Sequence, residues 1–322
     1  MKKALVTGVA GMIGSHLLDE LLKRSYKVTG IDNLSIGSIG NIRHNLKNPN
    51  FKFVNADILD IGHVRHLSKG MDILIHMAAS KKVDEKGSAL NTLRVNTEGT
   101  FNILDAAKKC GAKVVIASTS DVYGVSEDIP FKEDGKLVIG SPTAKRWAYA
   151  ASKIYAEQLA FAYHKEFNVP VVVIRYFGGF SPRASFSWSG GHIPLFIKAI
   201  LDNDPVVIHG NGRQTRSMAY VDDLVRGTVM AMENPKAIGE IFNIGNDEEI
   251  SVIDSARLIH RIANTGKKLK IRFIPQDKIF GTYEEIKRRV PDLGKSRKLL
   301  GYHPEVKLSE GIKITIKGYS GR

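Results

Sequence analysis

Tyr149 and Lys153 stand four residues apart in the segment Tyr149-Ala-Ala-Ser-Lys153. On a helix that spacing puts both side chains on one face. A lysine ammonium beside a phenol favours the phenolate, so a tyrosine with an ordinary pKa of about 10 becomes a base near neutrality. A second motif says what such a base works with. Thr7-Gly8-Val-Ala-Gly11-Met-Ile-Gly14 sets three glycines after an apolar run and ahead of a helical pattern. Glycines there make a tight turn and leave a helix N-terminus open to a pyrophosphate. Together, in this order, the two motifs point to oxidation of an alcohol by a bound dinucleotide.

Other residues fill in the two ends of such a site. Met12 and Ile13 lie on the helix that the glycines open. Asp32 ends the second apolar run, where a carboxylate binds the adenosine ribose hydroxyls and repels a 2′-phosphate. NAD is therefore expected over NADP. Asp57 and Ile58 follow the third run, placed for the adenine or simply for a strand-end turn. Ala78 and Ala79 end the fourth with small side chains that let backbone approach a cofactor; Asn33, Ser35, Asn96 and Tyr176 complete this set. At the other end, the run 114–117 leads into Ser118-Thr119-Ser120-Asp121-Val-Tyr-Gly. Ligands of open α/β sheets bind beyond the carboxyl ends of the strands, so these hydroxyls are expected on the substrate alcohol beside Tyr149. Arg216 follows a glycine-rich loop, either as a bidentate phosphate partner or as an ordinary solvated arginine.

The elements that must position these residues alternate. Near-continuous, β-branched apolar runs at 4–7, 26–31, 51–54, 73–77, 114–117 and 171–176 suit parallel strands buried on both faces. Helical patterns fall between them near 12–24, 61–69, 91–110 and 149–167. This rhythm predicts an α/β fold, a doubly wound parallel Rossmann sheet with right-handed crossovers. After Tyr176 a loop composition intervenes. Then come a helix near 193–202, a strand at 206–209, a helix from Asp222 capped by Asp222 or Asp223, and a strand at 241–244. A helix near 252–263, a strand at 269–274 and a basic segment 287–298 follow. The expected division is a dinucleotide-binding domain over 1–176, with returning segments near 217–245, and a smaller C-terminal α/β substrate lobe over 177–322.

Bulk properties narrow the class. The 322 residues carry a net charge of +14, but the lysines and arginines are scattered and no nucleic-acid signature accompanies them. Part of that charge suits a cleft for anionic nucleotides. No run is long and apolar enough for a membrane span, and Met-Lys-Lys leads straight into a strand pattern rather than a secretion signal. The single cysteine, Cys110, excludes an internal disulfide framework and fits a reducing cytoplasm. His63 and His66 read as surface residues, and no metal set is expected.

With these residues in hand the chain resembles the extended branch of the short-chain dehydrogenase/reductase superfamily, among its nucleotide-sugar epimerases, dehydratases and decarboxylases. The resemblance runs through the glycine fingerprint, Ser-Thr-Ser-Asp-Val-Tyr-Gly, Tyr-x-x-x-Lys, Arg175-Tyr-Phe, Arg216-x-x-x-Tyr-Val-Asp-Asp and Asn243-Ile-Gly. It implies a tightly bound NAD, a UDP- or dTDP-sugar closed under the second lobe, and a UDP-sugar ahead of the alternatives. It implies Tyr149 as the base, Lys153 on the nicotinamide ribose and the tyrosine, and Thr119 on the sugar 4-hydroxyl. Lys81 matches a cofactor-contacting lysine and Arg216 a pyrophosphate-binding arginine. Ser120, Asp121, Gly178, Arg183 and Arg289 join the substrate set. Family members dimerise through the helices that fall here near 91–110 and 149–167.

The motifs divide over the reaction. The 4,6-dehydratases place Asp-Glu after the threonine, where this chain has Ser120-Asp121, so dehydration is disfavoured. The decarboxylases place Ser-Glu there, one methylene longer, and the stretches Leu137 to Trp147 and Arg289-Val-Pro-Asp292 resemble theirs. Phe177-Gly178-Gly179-Phe-Ser-Pro and Trp188-Ser-Gly-Gly191-His-Ile-Pro resemble UDP-glucuronate and UDP-glucose 4-epimerases instead. Gly178 replaces a usual asparagine, and Ser185 lies where some glucuronate epimerases have a carboxylate-binding arginine, leaving Arg146, Arg183 or Arg289 as substitutes. A UDP-hexose 4-epimerase working through a 4-keto intermediate is expected ahead of a UDP-glucuronate decarboxylase. The presence of both Tyr149 and Lys153 argues against a non-catalytic NAD sensor.

Overall fold

The computed structural model describes residues 1–81, 88–187, 191–275 and 286–320. Strands and helices alternate through the first half: β1 (Lys3–Thr7), α1 (Met12–Lys23), β2 (Lys27–Asp32), β3 (Phe51–Asn55), α2 (Ile61–Ser68), β4 (Ile73–His76), α3 (Ala89–Cys110), β5 (Lys113–Thr119), α4 (Trp147–Phe167) and β6 (Val171–Tyr176). With β11 (Glu240–Ile244), the described strands form a seven-stranded sheet ordered β11-β6-β5-β4-β1-β2-β3, every pair parallel. Successive side chains of each strand point to opposite faces, and both faces are covered. Val6, Ile75, Val115 and Val172 pack with Leu17 and Leu18 of α1 and with Leu224 of α6 (Val221–Glu233). Leu5, Leu74, Val114 and Val173 face Ile103 and Leu104 of α3 and Ala160 of α4. That double burial is why the strands read as unbroken apolar runs. The chain winds outward from β1 in both directions, so the sheet has its switch point between β1 and β4, where ligands of such folds bind.

Helix boundaries follow their caps. α3 starts at Ala89, ahead of the expected 91, because the Ser88 hydroxyl accepts from the Asn91 amide; Gly111, at φ +72°, ends it. α6 starts at Val221 with Tyr220 at its cap and no side-chain cap bond, so neither Asp222 nor Asp223 is the N-cap. The Asp223 carboxylate instead accepts from the amides of Glu305 (2.9 Å) and Val306 (3.0 Å), drawn away by the chain that enters the last helix.

The later chain adds β7 (Gly179–Phe180), α5 (His192–Leu201), β8 (Val206–His209), β9 (Thr215–Ser217), β10 (Ala219–Tyr220), β12 (Glu249–Ser251), α7 (Val252–Ala263), β13 (Ile271–Ile274), β14 (Arg288–Arg289), α8 (Gly294–Leu300) and α9 (Leu308–Ser320). These strands make three small sheets, β10-β7, β12-β9-β14 and β13-β8. The basic segment expected at 287–298 resolves into β14 and α8. Among the described residues no helix is long and apolar enough to cross a membrane, and no cluster of three metal-ligating side chains occurs. His63 and His66 are exposed, and Cys110 is half-buried at the end of α3.

Candidate active site

A cleft of about 1260 Å³ opens at the switch point, lined from the fingerprint at one end to β9 and β14 at the other. At the first end β1 delivers Gly8 in a left-handed conformation, φ +69°, where a Cβ would lie 2.7 Å from the Ala78 amide nitrogen. A Cβ at Gly14 would strike the Gly8 carbonyl. The turn therefore closes only without side chains, and α1 begins at Met12 with no side chain capping its free amides. Gly8, Gly11, Met12, Ile13, Gly14, Ala79 and Tyr176 all line the cleft. That glycine cradle, opening on uncapped amides, fits the pyrophosphate of a dinucleotide.

Several expected cofactor residues hold the strand ends together instead of lining the cleft. Asp32 is 8% exposed and accepts from the amides of Ala10 (2.9 Å) and Leu34 (2.8 Å), which fixes the glycine turn. Burial raises its pKa and the two amides oppose the rise. Asn33 donates to Asp57 (2.9 Å), and Ser35 donates through its amide to Asn33 (3.0 Å). Ile58 is buried beneath Gly99, and the Ala78 amide donates to Thr7. Asn96 is fully buried, with its amide bonded to both backbone groups of Ser80 and to the Ser152 hydroxyl. It ties the end of β4 to α4.

At the chemical end α4 brings Tyr149 and Lys153 to the cleft beside Thr119, the last residue of β5. The Thr119 hydroxyl bonds the Tyr149 phenol and caps the turn at Ser120–Tyr123 by accepting from the Asp121 amide (3.2 Å). Lys153 is 1% exposed, and its Nζ donates to the Ala117 carbonyl at 2.8 Å. Burial lowers its pKa to about 8, against an upward pull from Glu157. The expectation that Lys153 lowers the Tyr149 pKa is not met by these contacts. Burial raises Tyr149, and the charge of Asp121 raises it further against the bond from Thr119 and the charge of Arg289.

Asp121 is the centre of a cluster the spacing did not disclose. Lys81 lies 3.0 Å and Arg289 2.7 Å from its carboxylate, and Lys81 also sits 5.1 Å from the centre of the Tyr149 ring. Burial alone would raise the Asp121 pKa; Arg289, Lys81 and Arg146 outweigh it and hold the group well below the usual carboxylate range. Three cations thus gather around one anion beside the phenol.

Farther along the cleft Arg216 of β9 pairs in register with Arg289 of β14. Arg216 donates to the carbonyls of Thr215 (2.7 Å) and Ile286 (2.8 Å). Gly178 has a steric reason for departing from asparagine: a Cβ there would lie 2.6 Å from the Met218 sulfur and 2.7 Å from the Ser217 carbonyl oxygen. Arg183 lines the cleft but is bound to Asp19 of α1 at 2.7 Å. Ser120 and Ser185 line it too, while Trp188 lies outside the described residues. The sequence reading missed Ser38, Arg43 and His192, which also line the cleft. Ser38 and Arg43 sit on short turns with no motif; His192, its pKa lowered to about 3 by burial and then by Arg216, is the first residue of α5 and was signalled only as part of the Trp188-to-Pro stretch.

The family model for NAD-dependent epimerases and dehydratases matches residues 4–245. The chain belongs to the NAD-dependent epimerase/dehydratase family. It is 38% identical to the UDP-N-acetyl-alpha-D-glucosaminuronate decarboxylase of Bacillus cytotoxicus, over 99% of this chain and 98% of the relative. It is 35% identical to UDP-glucuronic acid decarboxylase 1 of Xenopus tropicalis, over 98% of this chain and 71% of the relative. Among solved structures, the UDP-glucuronic acid 4-epimerase of Bacillus cereus, in complex with UDP-glucuronic acid and NAD, matches with a TM-score of 0.89 and 34% identity over 99% of both chains. The epimerase/dehydratase family member described here is thus an extended short-chain dehydrogenase/reductase whose cofactor is NAD, related to enzymes of both decarboxylation and epimerisation.

Proposed function

We propose that the chain oxidises a UDP-hexuronate at C4 and lets the resulting β-keto acid lose carbon dioxide. The observation that carries this reading is the Arg289–Asp121–Lys81 cluster beside Tyr149. Its positive excess suits a sugar carboxylate, which competes with Asp121 for Arg289 and Lys81. Arg216, one strand away, serves the diphosphate. NAD bound at the glycine cradle supplies the hydride acceptor for C4 and the means of returning that hydride. Tyr149 takes the hydroxyl proton, oriented by Thr119, and Lys153 serves the nicotinamide ribose. In the keto acid the C5–C6 bond breaks, its electron pair passes into the C4 carbonyl to give an enolate, and a proton returns to C5. Likeness over 98% of the Bacillus cytotoxicus decarboxylase supports this order over the one the motifs suggested.

A second reading, 4-epimerisation of the same acid, is favoured by the likeness to the glucuronate epimerase and by the Phe177–Pro182 stretch. We further propose that two copies pair through α3 and α4. The reaction is tested by proton NMR of mixtures with UDP-glucuronate, UDP-N-acetylglucosaminuronate and UDP-glucose, with carbon dioxide collected. A UDP-pentose and released gas are expected from an acid. A C4 epimer retaining all its carbons as the main product would replace decarboxylation by epimerisation.

A further inference from the structure

Glu157 lies four residues beyond Lys153 and eight beyond Tyr149, on the same face of α4. It is 3% exposed and grips Arg175 of β6 bidentately, Nε to Oε1 at 2.9 Å and Nη2 to Oε2 at 2.7 Å. The Ser118 hydroxyl donates to the same carboxylate. Ser118, Arg175 and Asn243 stand in one register row across β5, β6 and β11. From Arg175 the bonds run on. Its Nη1 donates to the Tyr123 hydroxyl (3.0 Å), which donates to Asn243 Oδ1 (2.7 Å), whose amide donates to the Phe131 carbonyl (2.8 Å). Phe131 then exchanges backbone bonds with Val290, the residue after Arg289, and with Asp292.

A continuous buried path therefore joins the helix of Tyr149 and Lys153 to the arm that carries Arg289. Each end has a partner at the phenol: Thr119, next to Ser118, bonds it, and Arg289 holds the Asp121 beside it. A core that needed only stability would do as well with apolar residues here, since a buried ion pair is often no better than packed hydrocarbon. We propose that the Glu157–Arg175 pair, carried forward by Tyr123 and Asn243, is the positioning device that sets Lys153 and Arg289 in register about Tyr149. This rests on the C4-oxidation reading above.

Glu157 also acts on Lys153 directly, favouring the ammonium that burial disfavours. The other titratable groups facing this region are Tyr149 on α4, His76 of β4, kept neutral by burial with its pKa lowered to about 3, and Tyr123 with Glu133 around Arg175. An ammonium is present below its pKa. Removing Glu157 moves the loss of that charge, and the alkaline limb of kcat, to lower pH.

The experiment compares wild type with Tyr123→Phe, Glu157→Gln and the charge-free pair Glu157→Leu/Arg175→Met. Tyr123→Phe removes one hydroxyl from the path and should lower kcat about tenfold with KM unchanged. Glu157→Gln, or the paired variant where the single one does not fold, should shift the alkaline limb down by about one pH unit. Carbon-13 NMR of labelled lysine in the cofactor-free protein should show Lys153 titrating lower by the same shift. A merely structural pair would lower the melting temperature and leave the Lys153 titration in place. That result, or wild-type kcat in Tyr123→Phe, overturns the proposal. The cofactor-free titration needs no substrate, so its outcome stands apart from whether wild type oxidises C4 at all.

Discussion

Burial and the neighbouring Asp121 charge both hold the Tyr149 pKa up, and a base works only above its pKa. Replacing Asp121 by asparagine removes one of these two causes. Asp121→Asn should therefore carry the acid limb of C4 oxidation to lower pH, followed by the absorbance of reduced nicotinamide. Tyr149→Phe sets the scale, with a loss of at least ~100-fold in a folded protein. An acid limb that stays where it was in Asp121→Asn removes the electrostatic role given to the carboxylate. At this scale the reactive residues were legible because Tyr149 and Lys153 are tied by helical spacing and Gly8, Gly11 and Gly14 by a turn. The partners of Asp121 were not legible as a set. Lys81, Arg146 and Arg289 come from three distant segments, and only the fold makes them neighbours.

Elements were legible where their own sequence determines them. Parallel strands buried on both faces announced themselves as apolar runs, and β6 lies where its run predicts. β7, β9, β10, β12 and β14 have two or three residues each, too few to show a period, and exist because other segments pair with them. Asp223 misled for a related reason: an acidic residue early in a helix looks like a cap until a distant segment claims its carboxylate. Gly178 shows the same dependence on a neighbour. Its carbonyl accepts from the Ala219 amide at 2.7 Å, just where β7 meets β10, and Ser217 with Met218 leaves no space for a Cβ. Because one of those obstructing atoms is backbone, Gly178→Ala should cost about 1–3 kcal/mol, and Gly178→Asn at least as much. Denaturant melts measure this; a Gly178→Ala change of less than about 0.5 kcal/mol would show that the strands separate freely.

Across the whole molecule the scattered +14 charge acquires a direction. Arg43, Lys81, Arg146, Arg183, Arg216 and Arg289 all line the cleft, so part of the excess faces ligands that are themselves anions. The outer surface of α3 and α4 offers apolar side chains instead. Leu90, Leu93 and Phe101 of α3 and Tyr155 of α4 are exposed on two helices packed against each other. A dimer through α3 and α4 predicts a sedimentation coefficient of two chains at micromolar concentration, and a single chain for Leu90→Lys/Tyr155→Lys with its melting curve preserved. A wild-type monomer under those conditions excludes the pairing.

The register of β9 with β14 gives the cleft a ruler. Arg216 and Arg289 are partners across one strand spacing, about 4.8 Å, on backbones that are bonded to each other. Under the proposed roles, one arginine meets the diphosphate and the other the uronate, so the interval between these two landmarks of the substrate is built into a backbone ladder rather than into flexible side chains. The molecule would then gauge its sugar nucleotide by length as well as by charge. A ligand with the right groups at the wrong interval could satisfy either end, and never both.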